Sequence, residues 1–170
     1  MISKKMEGAF NDQVQAEVYS AHIYLAMSAY LDSIDLPGFA SWMRVQYQEE
    51  IFHAFKLFDY VIERDGRAKV MQIDEPQFEW KSALDIFEAA YAHEQKVTGL
   101  INNLMDIAIA EKDHASQIFL QWFVNEQVEE ESTAKGIIQQ LKLLDDSRAG
   151  LFQIDRELGQ RVFTPPTAAE

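Results

Sequence analysis

Residues 43–57, MRVQYQEEIFHAFKL, place Met43, Gln46, Glu50, His53 and Leu57 at steps of three or four. That spacing traces one face of an α-helix, and the apolar residues at its ends mark the face as inward. A surface carboxylate needs no explanation, but a glutamate and a histidine on a buried stripe do. The pattern runs from Pro37, suited to a first helical turn, to Arg64, Asp65 and Gly66, with Gly66 placed as a C-terminal cap. Only 7 Gly and 4 Pro punctuate 170 residues, so the uninterrupted stretches are long.

Upstream, Phe10, Val14, Ala21, Tyr24 and Leu31 keep helical spacing over about residues 4–34. Downstream, Ser82 with Asp85 reads as a capping box opening a helix over 82–111. Asp113 caps another over 114–144, and Ser147 a short fifth over 148–159 that ends at Gly159. The tail, 163–170, is expected to be mobile. The predicted fold is all-α, a four-helix bundle with a short C-terminal fifth helix, and the whole chain, 1–170, reads as one domain. Joints near Pro37 and Asp113 are too short for anything but antiparallel neighbours. The aperiodic segment 67–81 is long enough to run the height of the bundle, making the second and third helices parallel. A loose surface excursion between antiparallel helices is the alternative.

Each long helix carries acids or amides on its inward stripe. Glu17 lies between Val14 and Ala21, Glu94 between Ala90 and Val97, and Gln127 and Glu130 continue the line from Phe123 to Ile137. Counted from the predicted helix starts, all fall near mid-height, so four carboxylates and an imidazole converge. Left unpaired they would cost several kcal/mol each, and no matching set of buried cations is evident. Bound divalent metal resolves the conflict. Glu17, Glu50 and His53 can hold one ion, and Glu50, as a bridge, with Glu94 and Glu130 a second. The fourth helix has Gln127 to Glu130 where a symmetric site would repeat Glu-x-x-His, so the two positions differ. Hard oxygen ligands with one imidazole suit iron or manganese better than zinc or copper.

Composition narrows the function classes. With 28 acidic against 15 basic residues and a formal charge of −13, a nucleic acid partner is not expected. The chain has no cysteine, which removes disulfides and thiolate sites, and a reducing, cytoplasmic setting is the expectation. No apolar signal region or bilayer-length apolar run occurs, so no membrane association is expected.

At these residues the chain resembles the ferritin family, and within it the non-haem bacterial ferritins, from the first helix to the fifth. The resemblance implies a ferritin-like bundle with a long crossover between helices two and three. It implies a ferroxidase centre for two iron ions at Glu17, Glu50, His53, Glu94 and Glu130, with Gln127 close beside them. A third iron position is implied at Glu49, Glu126 and Glu129, sharing Glu130. Tyr24, by spacing a core aromatic, matches a family tyrosine that donates an electron during oxygen reduction. Trp122 also matches a family position, for which packing is the simpler reading. The resemblance implies oxidation of Fe(II) by dioxygen or hydrogen peroxide. It also implies ferric mineral stored inside a shell of 24 identical subunits, with the fifth helix at fourfold contacts. No haem is expected, because Ile51 and Glu130 stand where haem-binding relatives have methionine and histidine. Gln117 and Leu120 stand where animal members line an access channel with acids, which leaves the iron route open. His22, His93 and His114 are expected to be structural or exposed. A rubrerythrin-like peroxidase and a non-catalytic acidic scaffold are the rival readings.

Overall fold

Each helix begins where a short polar side chain can satisfy the first free N–H groups. In the computed structural model, which describes residues 1–144 and 147–165, the helices are α1 (Lys4–Ser33), α2 (Pro37–Glu63), α3 (Ala83–Ala110), α4 (His114–Leu143) and α5 (Arg148–Leu158). No strand occurs among the described residues. Ser3, Ser82, Asp113 and Ser147 accept from the backbone N–H groups of Met6, Asp85, Ser116 and Gly150 at 3.1–3.2 Å. Helix α2 is the exception, since its own N-cap residue, Leu36, offers no side-chain bond. Its cap comes from 117 residues away, where Asp155 Oδ1 on α5 accepts from Gly38 N at 2.8 Å and Phe39 N at 3.0 Å.

Three helices end in the same way. Asp35, Asp65 and Lys112 adopt left-handed backbone, at φ 61°, 58° and 53°. The residue after each donates back to a carbonyl five positions earlier, with Leu36 bonding Leu31, Gly66 bonding Val61 and Asp113 bonding Ala108 at 2.8–3.0 Å. Helix α2 therefore stops at Glu63, and the left-handed cap falls on Asp65, not on Gly66 as the sequence pattern placed it. Gly66 is required for space, because a Cβ there would stand 2.9 Å from the Val61 carbonyl oxygen and from the Ile2 side chain. Lys112 is an exposed side chain in a conformation glycine adopts freely. Lys112→Gly is expected to stabilise the fold by about 0.5–1 kcal/mol, read as a raised thermal midpoint. A lowered midpoint would show that the Lys112 side chain makes a contact worth more than the strain.

Helices α1 and α2 pack along one another, as do α3 and α4, and α1 also meets α3. The crossover between α2 and α3 is pinned to α1 throughout its climb. Asn11 bonds Arg67 O and Lys69 N at 3.0 and 2.7 Å, Gln15 bonds Gln72 O at 2.5 Å, and Tyr30 donates to Trp80 O. From Asn11 to Tyr30 the segment rises about 28 Å, so α3 starts at the end where α2 started. That makes the two parallel and removes the loose-excursion alternative. Phe163, in the tail segment, is half-buried, with its ring centroid 6.4 Å from that of Phe52. Residues 166–170 of that tail lie outside the described residues. Among the described residues, no helix is long and apolar enough to cross a membrane.

The core is in two pieces. One packs Tyr24, Met27, Leu31, Phe39, Met43 and Phe87 with Ile137 and Leu141. The other packs Met6, Phe10, Leu57, Ile101, Leu104, Leu120 and Phe123. Each fully buried large side chain contributes about 1.5–3 kcal/mol by leaving water. Between the two pieces lies a belt of buried polar side chains.

Candidate metal centre

The belt is supplied by all four long helices at one height. Glu17, Glu50, Glu94 and Glu130 lie 13, 13, 11 and 16 residues after the first residues of α1, α2, α3 and α4. All are buried, with exposures of 1%, 2%, 1% and 7%, and His53 is 3% exposed. One ligand atom from each of Glu17, Glu50 and His53 lies within 4.8 Å of the other two, the one such group found among the described residues. His53 sits one helical turn beyond Glu50, with Nδ1 3.6 Å from Glu50 Oε2. Its ring is fixed edge-on by Trp122 and Phe123, at centroid distances of 5.4 and 5.9 Å.

The other two carboxylates face the same belt but are held by hydrogen bonds. Tyr24 Oη donates to Glu94, and Gln127 Nε2 donates to Glu94 Oε2 at 3.1 Å. Gln46 Nε2 donates to Glu130 Oε2 at 2.9 Å. Glu17 Oε1 accepts from Gln13 Nε2 at 2.8 Å, while Glu17 Oε2 is buried with no hydrogen-bond partner. A buried oxygen left bare is costly, and it is the kind of atom a cation would satisfy.

Glu49 and Glu126 are half-buried and Glu129 is exposed. These three and Glu130 are not gathered into a group as tight as Glu17, Glu50 and His53. Glu49 is bound instead by Arg161, Nη2 to Oε2 at 2.5 Å. None of the remaining histidines joins the group of Glu17, Glu50 and His53. His22 and His114 are exposed, and His93 bonds Ser20 Oγ at 2.8 Å. Leu120 is fully buried in the core, and Gln117 donates to Ala108 O at 3.2 Å.

Three partners were not singled out from the sequence. Gln13 could have been found, since it stands one helical turn before Glu17. Gln46 was placed on the inward stripe, but nothing in the sequence paired it with Glu130, 84 residues on. Arg161 lies beyond α5, where no periodicity reaches.

Burial dominates the electrostatics. It pushes the Glu17 carboxyl up to about 7, against the pull of the Gln13 amide and Glu50. It pushes Glu130 up to about 8, reinforced by Glu94 and Glu49 and opposed by Arg161 and Gln46. Glu50 is raised well above the usual carboxylate range by burial and then by Glu94, Glu17 and Glu130. Glu94 is raised by burial, against the bonds from Tyr24 and Gln127. Burial, helped by Lys56, lowers His53 to about 4, which keeps the imidazole neutral and able to ligate. Glu50 and His53 are therefore close without being an ion pair.

The folded chain holds protons on Glu17 and Glu130 that the unfolded chain has lost between its ordinary carboxylate range and about 7 to 8. Stability from this source is present at low pH and lost as pH rises through the folded values. Chelator-treated protein is thus expected to melt several degrees higher at about pH 5.5 than at about pH 8, and a saturating divalent cation should abolish the difference. A higher midpoint at the alkaline end would contradict the proton-loaded centre.

Similarity to known proteins agrees with this fold. A family profile described as the ferritin-like domain matches residues 7–144. The bacterial non-heme ferritin of Bacteroides fragilis is 49% identical over 161 residues, covering 95% of this chain and 100% of the relative. That of Staphylococcus aureus is 39% identical over 163 residues, covering 96% and 98%. Among solved structures, an open pore ferritin from the archaeon Archaeoglobus fulgidus matches with a TM-score of 0.94 and 50% identity, covering 95% of this chain and 100% of that one. A humanized archaeal ferritin matches with a TM-score of 0.96 and 50% identity, covering 97% and 100%.

Proposed function

The chain belongs to the ferritin family, and from that premise we propose that it stores iron, oxidising Fe(II) at the buried belt and keeping the ferric product inside a hollow shell. The observation that carries this reading is the convergence of four buried carboxyls and a neutral imidazole, with one Glu17 oxygen unsatisfied and no buried Lys or Arg among the described residues. Iron is the substrate. Glu17, Glu50 and His53 hold one ion; Glu50 bridges to the second, which Glu94 and Glu130 complete.

The two positions differ in what must happen on loading. Glu17, Glu50 and His53 are already gathered, so the first ion displaces protons and meets a ready set. Glu94 and Glu130 must be drawn from amide and phenol bonds, so the second position is the weaker one. Each Fe(II) gives up one electron; dioxygen takes the two with two protons and leaves as hydrogen peroxide, itself an oxidant of Fe(II). Carboxylate-rich ligation favours the ferric state and so the forward direction. Tyr24, bonded to Glu94 and raised well above its usual range by burial and by Glu94, Glu50 and Glu130, stays a phenol that can supply a further electron with its proton. Trp122 packs on His53 and keeps its ring oriented. Glu49, Glu126 and Glu129 with Glu130 form the third iron position. The similarity to a ferritin described as having an open pore supports a shell, for which 24 subunits with α5 at the fourfold contacts is our reading, in the cytoplasm.

The test is size-exclusion chromatography followed by anaerobic Fe(II) titration and then admission of air. Expected are a large closed oligomer, uptake of about two tightly bound equivalents per subunit, and retention of a large excess of iron after oxidation. A small species that binds no stoichiometric iron would make this a scaffold; oxidation without retained excess would make it a peroxidase.

A further inference from the structure

Helix α5 delivers a cation to the edge of the belt. Gly159 ends the helix, and two residues on the Arg161 side chain turns back onto α2, its guanidinium carbon 4.6 Å from the centre of the Trp42 ring. Nη2 donates to Glu49 Oε2 at 2.5 Å, and Nη1 donates to Gln46 Oε1. The same Gln46 amide donates through Nε2 to Glu130 Oε2 at 2.9 Å. Arg161 is therefore linked to two of the acids assigned to the third iron position, directly to Glu49 and through one side chain to Glu130. Its charge also opposes the upward push that burial gives Glu126.

We propose that Arg161 is a tethered counter-cation that competes with iron for the third position and must swing out for that position to fill. The inference rests on the ferritin reading above. A guanidinium held by the fold acts at the high effective concentration of an intramolecular ligand. It matches a carboxylate geometrically but carries one charge against the two or three of iron. Its side chain is 26% exposed, so water is available to receive it when it leaves. Departure also frees the Gln46 amide, whose orientation Arg161 fixes, and so loosens the grip on Glu130. Loading is thereby ordered: the position at Glu17, Glu50 and His53 fills without touching Arg161, and the third fills only when iron is abundant enough to expel it. Iron held there is weakly held and positioned to move on.

Anaerobic Fe(II) titration of the assembled protein, wild type against Arg161→Gln, tests this. The equivalent bound at Glu17, Glu50 and His53 should keep its affinity, and the weakest equivalent should bind roughly tenfold more tightly in the variant. Arg161→Lys, which keeps the charge and loses the fork, should fall between. An unchanged or weakened third equivalent in Arg161→Gln overturns the proposal. A wild type that takes up no stoichiometric iron overturns the ferritin reading instead. Should the variants not assemble, a structure of the wild type saturated with Zn(II) decides. Arg161 displaced from Glu49 by metal supports competition; Arg161 still on Glu49 at saturation, with or without a neighbouring ion, overturns it.

Discussion

Glu50→Ala is expected to slow Fe(II) oxidation by about a hundredfold or more while leaving the oligomer intact. Loss of groups that merely orient a ligand costs roughly 10–100-fold, and in the proposed centre Glu50 is the one carboxylate shared by both ions. Its side chain is 2% exposed, and Glu94, Glu17 and Glu130 all oppose its charge. Removing it takes a disfavoured group out of the core and leaves the best helix former in its place. The chelator-treated variant should therefore melt no lower than the wild type at neutral pH, even though a small cavity offsets part of the gain. Stopped-flow absorbance of ferric product measures the first effect, and differential scanning calorimetry the second. Fast oxidation retained in the variant would remove Glu50 from the bridge.

Gly38→Ala should be the most damaging single methyl group in the chain. A Cβ on Gly38 would stand 1.7 Å from the Asp155 carbonyl oxygen and 2.5 Å from its carbonyl carbon. Backbone cannot yield as a side-chain tip can, so α5 must lift away. With it goes the Asp155 carboxylate that caps α2, two bonds from a charged acceptor worth about 1.5–3 kcal/mol each. We expect a loss of several kcal/mol overall, release of α5, and failure or weakening of shell assembly, read by denaturant unfolding and native mass measurement. Asp155→Ala removes the cap without the collision and should do less. Equal damage from both would mean that the cap, not the close approach, carries the docking.

These two sites differ in how far the sequence alone reveals them. The all-α fold follows from periodicity, because Glu17, Glu50, Glu94 and Glu130 sit on apolar stripes whose repeat is local. The long crossover was legible as a length that makes α2 and α3 parallel, but its track along α1 was not. Only the bonds from Asn11, Gln15 and Tyr30 show that it climbs α1. Asp65 takes the left-handed position beside an available Gly66, which is itself required for space against Ile2 and Val61, contacts with no local period. The need for glycine at position 38 comes from α5, which presses on it from more than a hundred residues away. Arg161 was invisible for the same reason. Contacts that close over long separations leave no period to read.

The split core has a bearing on reuse. Because the greasy side chains above and below the belt pack among themselves, neither half depends on cargo to stay shut. On the proposed storage reading the scaffold is expected to be emptied and recharged without melting, as a reservoir drawn down in scarcity and refilled in plenty requires.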